Sequence, residues 1–221
     1  MRIWLLVVTT TLKGTYMKLL IIGATGMIGN RLVAEALTRG HQVTAASRKG
    51  TVVEGTTALA LDVAQAEAVA TAAKDVDVVI SSVSPRSTAN PADEAASYGQ
   101  ALIAASQSSG KRLVMVGGAG TLNLPDGTPV AEVVPEMYRA EAKAMRGVYE
   151  MLADSDIDFT FLAPAGLIEP GDRTGEFRLG GREFMTDAEG NSRISAEDYA
   201  VALLDEVETP AHPRQVFSVA Y

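Results

Sequence analysis

The segment Gly23-Ala24-Thr25-Gly26-Met27-Ile28-Gly29 lies between a largely apolar run, Lys18 to Ile22, and a stretch of helical periodicity, and nothing else constrains the fold as strongly. An apolar run that ends at a glycine turn has the character of a central strand buried on both faces. In Asn30 to Arg39, Leu32, Val33, Ala36 and Leu37 recur at helical spacing, and Gly40 then stops the helix. Strand, glycine turn and helix in this order aim backbone N–H groups and a positive helix end at one place, where a pyrophosphate belongs. Gly23 permits the sharp turn, Gly26 lets phosphates approach the backbone and Gly29 lets helix and strand pack closely. Thr25, Met27 and Ile28 complete the candidate loop. A plain glycine turn without ligand is the competing reading, and the strand and helix on either side weigh against it.

The rest of the chain repeats the alternation, which predicts an α/β fold with a doubly wound, Rossmann-type parallel sheet. Strands are expected at Gln42 to Ser47, Ala58 to Leu61, Val76 to Ser81, Leu113 to Val116 and Phe159 to Leu162. Helices are expected at Ala64 to Ala73, from Asn90 to about Ser109, and at Glu136 to Ala153; Asn90-Pro91-Ala92-Asp93 opens its helix with a cap, a proline and an acid. Beyond Ala163-Pro164-Ala165, glycines interrupt short polar strands around Gly175 to Phe184, and residues 163–194 read as a small C-terminal, substrate-side appendage. Ser195-Ala196-Glu197-Asp198 resembles a capping box opening a helix to about Val207, and Gln215 to Val219 is the last strand.

Residues 17–221 therefore read as one domain, the natural count for 221 residues. Residues 1–16 read as a start-site extension ahead of Met17, because the apolar Ile3 to Val8 is short and Thr9 to Tyr16 offers no convincing signal-peptide cleavage site. No stretch approaches the roughly 20 apolar residues of a membrane span. A net charge of −8 disfavours a nucleic acid or an anionic membrane surface as partner. The absence of cysteine excludes disulfides, thiolate metal sites and thiol nucleophiles and fits a reducing cytoplasm, and with only His41 and His212 no histidine-rich metal site is expected.

The cofactor type is argued from the end of the second strand, where an NAD enzyme commonly places an acid roughly 20 residues beyond the motif. Here the chain has Ser47-Arg48-Lys49. A guanidinium holds a phosphate bidentately, so Arg48, with Ser47 donating, suits the 2′-phosphate of NADP(H), and NAD(H) is the second choice. A solvated basic turn is the bland alternative. Asp62 is either an acceptor for the adenine amino group or a cap before Ala64.

GATGMIG, Ser47-Arg48, Leu61-Asp62-Val63 and Asp158 to Ala165 together resemble the atypical short-chain dehydrogenase/reductase superfamily over Met17 to Tyr221. Within it the chain is most similar to NmrA-like regulators, proposed NADH-flavin reductases and the biliverdin/flavin reductase B type, on Glu169 to Gly175 and Ile194 to Ala200. The resemblance implies that Ser81, Ser82 and Val83, then Gly117, Gly118 and Ala119, line the nicotinamide and substrate cleft, that Val63 accompanies Asp62 at the cofactor, and that Pro164 covers the nicotinamide.

Catalytic members of that superfamily use a Tyr-x-x-x-Lys pair. Tyr138 and Lys143 are the candidates, but five residues rotate them by about 140° on one helix, so they cannot share a face. Helix surface is the bland reading of both. The cleft serine and histidine of the flavin-reductase type match Gly118 and Gly166 here. Hydride transfer to a flavin or quinone needs mainly positioning of two rings, for which Leu122, Leu124, Met137, Leu167 and Phe184 are candidates for an apolar shelf, with Arg86 and Arg173 as rim anion contacts. The expected function is an NAD(P)H-dependent reductase of a small-molecule acceptor. The alternatives are a non-catalytic NADP-binding redox sensor that acts through a protein partner and, behind it, a sugar-nucleotide epimerase or dehydratase, for which the chain after the sixth strand is short.

Overall fold

The computed structural model describes residues 16–85 and 89–221. All of the expected start-site extension except Tyr16, and also Arg86, lies outside the described residues. The first half alternates β1 (Lys18–Ile22), α1 (Met27–Thr38), β2 (Gln42–Ser47), β3 (Thr57–Ala60), α2 (Ala66–Ala73), β4 (Val78–Ser81), α3 (Pro91–Ser109) and β5 (Arg112–Val116). A single 3₁₀ turn (Ala119–Thr121), the short α4 (Val130–Val133), α5 (Glu136–Asp154) and β6 (Phe159–Pro164) follow. The chain then forms β7 (Leu167–Glu169), β8 (Arg178–Gly180), β9 (Arg193–Ser195), α6 (Ala196–Glu208) and β10 (Gln215–Ala220).

Eight strands form one sheet in the order β3-β2-β1-β4-β5-β6-β10-β8, parallel throughout except that β8 runs against β10. Leu19 stands opposite Val43 on one side and Val78 on the other, so β1 is the central strand its apolar run predicts. The chain leaves β1 in one direction to reach β2 and returns to the other side as β4, and the crevice at this reversal is where open α/β sheets bind ligands.

Side-chain alternation sends residues to two cores. Leu20, Ile22, Val79, Met115 and Phe161 pack beneath the α2–α3–α5 layer, whereas Leu19, Ile21, Ile80, Val114 and Leu162 pack beneath α1 and α6. Asn90 caps α3 by accepting from the Asp93 N–H, and Ser195 caps α6 by accepting from the Asp198 N–H, as the sequence predicts.

Bounds shift by one or two residues at several elements, α2 opening at Ala66 rather than Ala64 and β4 at Val78 rather than Val76, and three elements depart further. Helix α1 begins at Met27 rather than near Asn30, because the helix starts within the glycine motif. The four-residue α4 is too short to carry a periodicity. The parallel pair β7–β9 joins three-residue strands far apart in sequence, a pairing that no local pattern encodes. No helix among the described residues is long and apolar enough to cross a membrane.

Candidate active site

A cleft of about 500 Å³ opens at the C-terminal edge of the sheet. Gly26, Met27 and Ile28 form one wall, Ser82 to Ser84 and Val116 to Gly120 the floor, Val134, Pro135, Tyr138, Glu141, Ala142 and Met145 a second wall, and Pro164 to Gly166 with Ile168 the far side.

The glycine wall is built by close approach. Gly23 has φ +83°, and a Cβ there would sit 2.6 Å from the Ser82 carbonyl oxygen. A Cβ at Gly29 would lie only 2.0 Å from the Gly23 carbonyl oxygen, so the turn and α1 pack backbone to backbone. Gly23 and Ala24 N–H both donate to the Ala46 carbonyl, and Gly26 N–H donates to that of Gly23. The first bond of the helix ladder comes from Asn30 N–H to Gly26 O at 2.9 Å, and no side chain caps the helix. The N–H groups of the first turn, at Met27, Ile28 and Gly29, thus lead into the cleft uncapped, an arrangement that fits a pyrophosphate.

The floor loop after β5 is equally constrained. Gly117 N–H donates to Leu162 O at 2.8 Å, and a Cβ at Gly117 would meet the Phe161 ring at 2.3 Å. Gly120 lies against α5, where a Cβ would come within 2.8 Å of Ala142 Cβ. Arg146 holds the loop from behind through Gly120 O, Thr121 O and Asn123 Oδ1, and Arg182 adds a bond to Thr121 O. Tyr199, wholly buried on α6, donates to Leu162 O at 2.6 Å, and burial pushes its phenol far above the ordinary range, so it stays a donor.

The structure brings together at the cleft most residues expected there: Gly26, Met27, Ile28, Ser82, Val83, Gly117, Gly118, Ala119 and Pro164. Ser81, expected in the same lining, is instead wholly buried at the end of β4, on the face it shares with Val79, so only its backbone is near the floor. At the end of β2, Ser47 is buried and its Oγ accepts from Thr51 N–H, while Arg48 and Lys49 are exposed and enter no ion pair among the described residues. Asp62 Oδ1 accepts from Ala64 N–H at 3.0 Å, a turn ahead of the helix rather than its cap, because α2 opens only at Ala66 with no side chain capping it; Val63 is half-buried against the core.

Tyr138 and Lys143 part company. Helix α5 is continuous from Glu136, Tyr138 lines the cleft, and Lys143 pairs with Glu132 at 3.0 Å outside the cleft lining. The apolar shelf is also corrected. None of Leu122, Leu124, Met137, Leu167 and Phe184 lines the cleft; Leu122 is core, Met137 is 79% exposed, and Val134, Pro135, Met145 and Ile168 supply the apolar surface. Arg173 is not at the rim. It forms a two-point ion pair with Glu35 on α1, both bonds at 2.8 Å, where buried carboxylate and planar guanidinium satisfy each other. That pairing, with Arg39 beside it, outweighs burial and holds the Glu35 carboxyl below the ordinary range.

Sequence reasoning missed Ser84, Val134, Pro135, Ile168, Glu141 and Met145. The last two were legible in principle, since Tyr138, Glu141 and Met145 fall at i, i+3 and i+7 of one helix face.

An NAD(P)H-binding family model matches residues 23–210 of the chain. An uncharacterized protein of Bacillus subtilis, YwnB, is 35% identical over 212 residues, covering 92% of this chain and 98% of that protein. Among solved structures, a proposed exported protein from Burkholderia pseudomallei is 42% identical with TM-score 0.85, covering 93% of this chain and 100% of that one. A proposed epimerase from Bacteroides thetaiotaomicron is 36% identical with TM-score 0.85, covering 93% and 97%. A proposed NADH-flavin reductase from Streptococcus pneumoniae is 29% identical with TM-score 0.82, covering 92% and 99%.

Proposed function

The chain belongs to the NAD(P)H-binding family, and from that premise we propose that it is an NADPH-dependent reductase of a small planar acceptor such as a flavin or quinone. The family bears out the resemblance to atypical short-chain dehydrogenase/reductases. The observation that carries the functional reading is the cleft itself. Uncapped helix N–H groups stand on one side of it, and a second wall of apolar side chains, Val134, Pro135 and Met145, stands across a floor of glycines.

Bound dinucleotide supplies a hydride at the nicotinamide ring. The residues' own work is to hold and orient. Met27 and Ile28 N–H groups, at the positive end of α1, hold the pyrophosphate. Arg48, exposed at the end of β2, supplies a forked donor for a 2′-phosphate, which favours NADP(H) over NAD(H). Gly117 to Gly120 carry no side chain larger than Ala119, so two flat rings approach the backbone on that floor, and Pro164 and Ile168 shield the far side from water. Such a site works by positioning, worth several orders of magnitude in rate where the geometry is productive. The proposed NADH-flavin reductase of S. pneumoniae supports the acceptor class by its similarity.

The pairing of Lys143 with Glu132 favours a second reading, a redox sensor that binds the cofactor without turnover. An epimerase is disfavoured because the position four residues beyond Tyr138 is Ala142, packed on Gly120. Titration with NADPH and NADH, followed by loss of the reduced-nicotinamide absorbance with flavins, quinones and aldehydes, decides among them. Tighter NADPH binding with acceptor-dependent oxidation supports the reductase, and binding with no oxidation by any acceptor supports the sensor.

A further inference from the structure

Behind the cleft wall lies a tyrosine with an unusual partner. Tyr98, on α3, is 2% exposed, and its hydroxyl donates to the Met145 sulfur at 3.1 Å. A buried phenol ordinarily finds an oxygen or nitrogen acceptor, and a thioether is a weak one. Met145 lines the cleft, and its unbranched side chain has three rotatable bonds, which makes it the most easily displaced group of that wall. Met145, itself 3% exposed, thus touches both the Tyr98 hydroxyl and the cleft.

The surroundings keep that hydroxyl a donor. Burial first, and then the carboxylates of Glu94 and Glu141, push the phenol well above its ordinary range, so it remains protonated at any working pH. A second buried hydroxyl, Ser81 Oγ, has no hydrogen-bond partner and lies on the same face of the sheet as Met115 and the α3–α5 layer. Buried unpaired polar groups cost stability, so a hydroxyl left with none and another left with only a thioether are polar groups that the apolar core does not explain.

We propose that Met145 gates an inner subsite of the cleft in which Tyr98 donates a hydrogen bond to a ring carbonyl of the acceptor, the carbonyl oxygen replacing the Met145 sulfur. The inference rests on the reductase reading and sharpens it. The acceptor class is a planar carbonyl compound, a quinone or an isoalloxazine, whose carbonyl edge enters from the cleft in place of the displaced Met145 thioether.

The test uses the full chain saturated with NADP⁺ and reads binding of riboflavin by quenching of its fluorescence, with steady-state KM for riboflavin under NADPH as the second readout. Tyr98→Phe keeps the ring and removes only the donor. It is expected to weaken riboflavin binding about tenfold and to raise KM in parallel, with NADP⁺ affinity unchanged. Met145→Ala opens the subsite and is expected to tighten riboflavin binding, and the tenfold effect of Tyr98→Phe is expected to persist in that background. Riboflavin affinity and KM within twofold of the parent in Tyr98→Phe, with NADP⁺ binding intact, overturn the subsite while leaving the reductase standing. A parent protein that neither quenches riboflavin nor oxidises NADPH with any acceptor overturns both.

Discussion

Lys143 Nζ lies 3.0 Å from Glu132 Oε2, an ion pair between α5 and α4 that carries the lysine off the helix face on which Tyr138, Glu141, Ala142 and Met145 meet the cleft. The five-residue spacing read in the sequence and the continuity of α5 together place these residues. What four-residue spacing would offer the cleft is Ala142, and α5 approaches Gly120 so closely there that a longer side chain has no straight path inward. Both ends of the lysine pair are half-exposed, and exposed pairs contribute about 0–1 kcal/mol. Lys143→Met is therefore expected to leave kcat/KM within about threefold of the parent and to lower Tm only slightly. A loss of a hundredfold or more in kcat would instead place the lysine in the chemistry.

Tyr138 stands on the cleft side of the same helix, 54% exposed. With no lysine beside it, its contribution is contact area at the mouth rather than proton transfer. Tyr138→Phe is expected to leave kcat and its pH profile unchanged, whereas Tyr138→Ala raises the acceptor KM several-fold. Steady-state kinetics across pH on both variants checks the distinction.

The proposed preference for NADPH rests on Arg48, which no carboxylate among the described residues engages. Hydrogen bonds to charged groups are worth about 1.5–3 kcal/mol, so Arg48→Ala is expected to weaken NADPH roughly ten- to a hundredfold and NADH by less than twofold. Parallel titrations with the two cofactors read the ratio. Equal losses for both would remove the 2′-phosphate from the account.

Gly29 tests the loop by sterics alone, since its backbone has ordinary helical geometry. A methyl group there would lie 2.0 Å from the Gly23 carbonyl oxygen, and the obstacle is backbone, so the turn itself must move. Overpacking of this kind costs about 1–3 kcal/mol. Gly29→Ala is expected to lower Tm by several degrees and to abolish measurable NADPH binding, because the first-turn N–H groups move with the loop. Undiminished NADPH binding would show that the pyrophosphate is held elsewhere.

Much of this was legible in the sequence because strand–turn–helix signals are local. Gln42–Ser47 is found at its expected bounds, and the caps at Asn90 and Ser195 lie where their side chains announce them. The cleft lining was legible where a glycine motif names it, at Gly26 to Ile28, and where the family resemblance implies it, at Gly117 and Gly118. It was illegible wherever two distant segments decide the outcome. Arg173 reads as a free cation until Glu35, 138 residues earlier, is seen to claim it. Leu122 reads as a cleft residue until the fold buries it, and Met145 is placed at the cleft only by the packing of α5. Helix α1 starts three residues earlier than its apolar periodicity indicates because its first turn lies inside the glycine motif, where no side-chain cap marks the start.

At the far end of the sheet a buried knot sets the acid limit of the fold. Glu206 is 4% exposed and accepts from Arg112 at 2.6 Å, from His212 Nδ1 at 2.8 Å and from the N–H groups of Ala211 and His212. Burial by itself raises a carboxyl pKa; here the His212 contacts, the Ala211 N–H and Arg112 outweigh it and hold Glu206 below the ordinary glutamate range. A folded-state value below the unfolded one binds fewer protons than the unfolded chain, so the knot's stabilisation is complete above the unfolded value, about 4.3, and is lost as pH falls through the folded value. Glu206→Gln keeps the shape, removes the charge and leaves the Arg112 guanidinium, itself 9% exposed, with only the more distant and largely exposed Asp158 carboxylate, 3.9 Å from Nε, as its counter-charge. Breaking a buried pair from one side costs about 3–5 kcal/mol, so the variant is expected to lose stability by that order at neutral pH and to show a shallower decline below pH ~4 than the parent. Urea unfolding of both proteins across the acid range checks the slope as well as the offset. Parallel curves would mean that other carboxylates, not Glu206, govern the acid limb. NADPH affinity at neutral pH should stay unchanged where the fold persists, because the knot lies at the opposite end of β5 and β6 from the cleft.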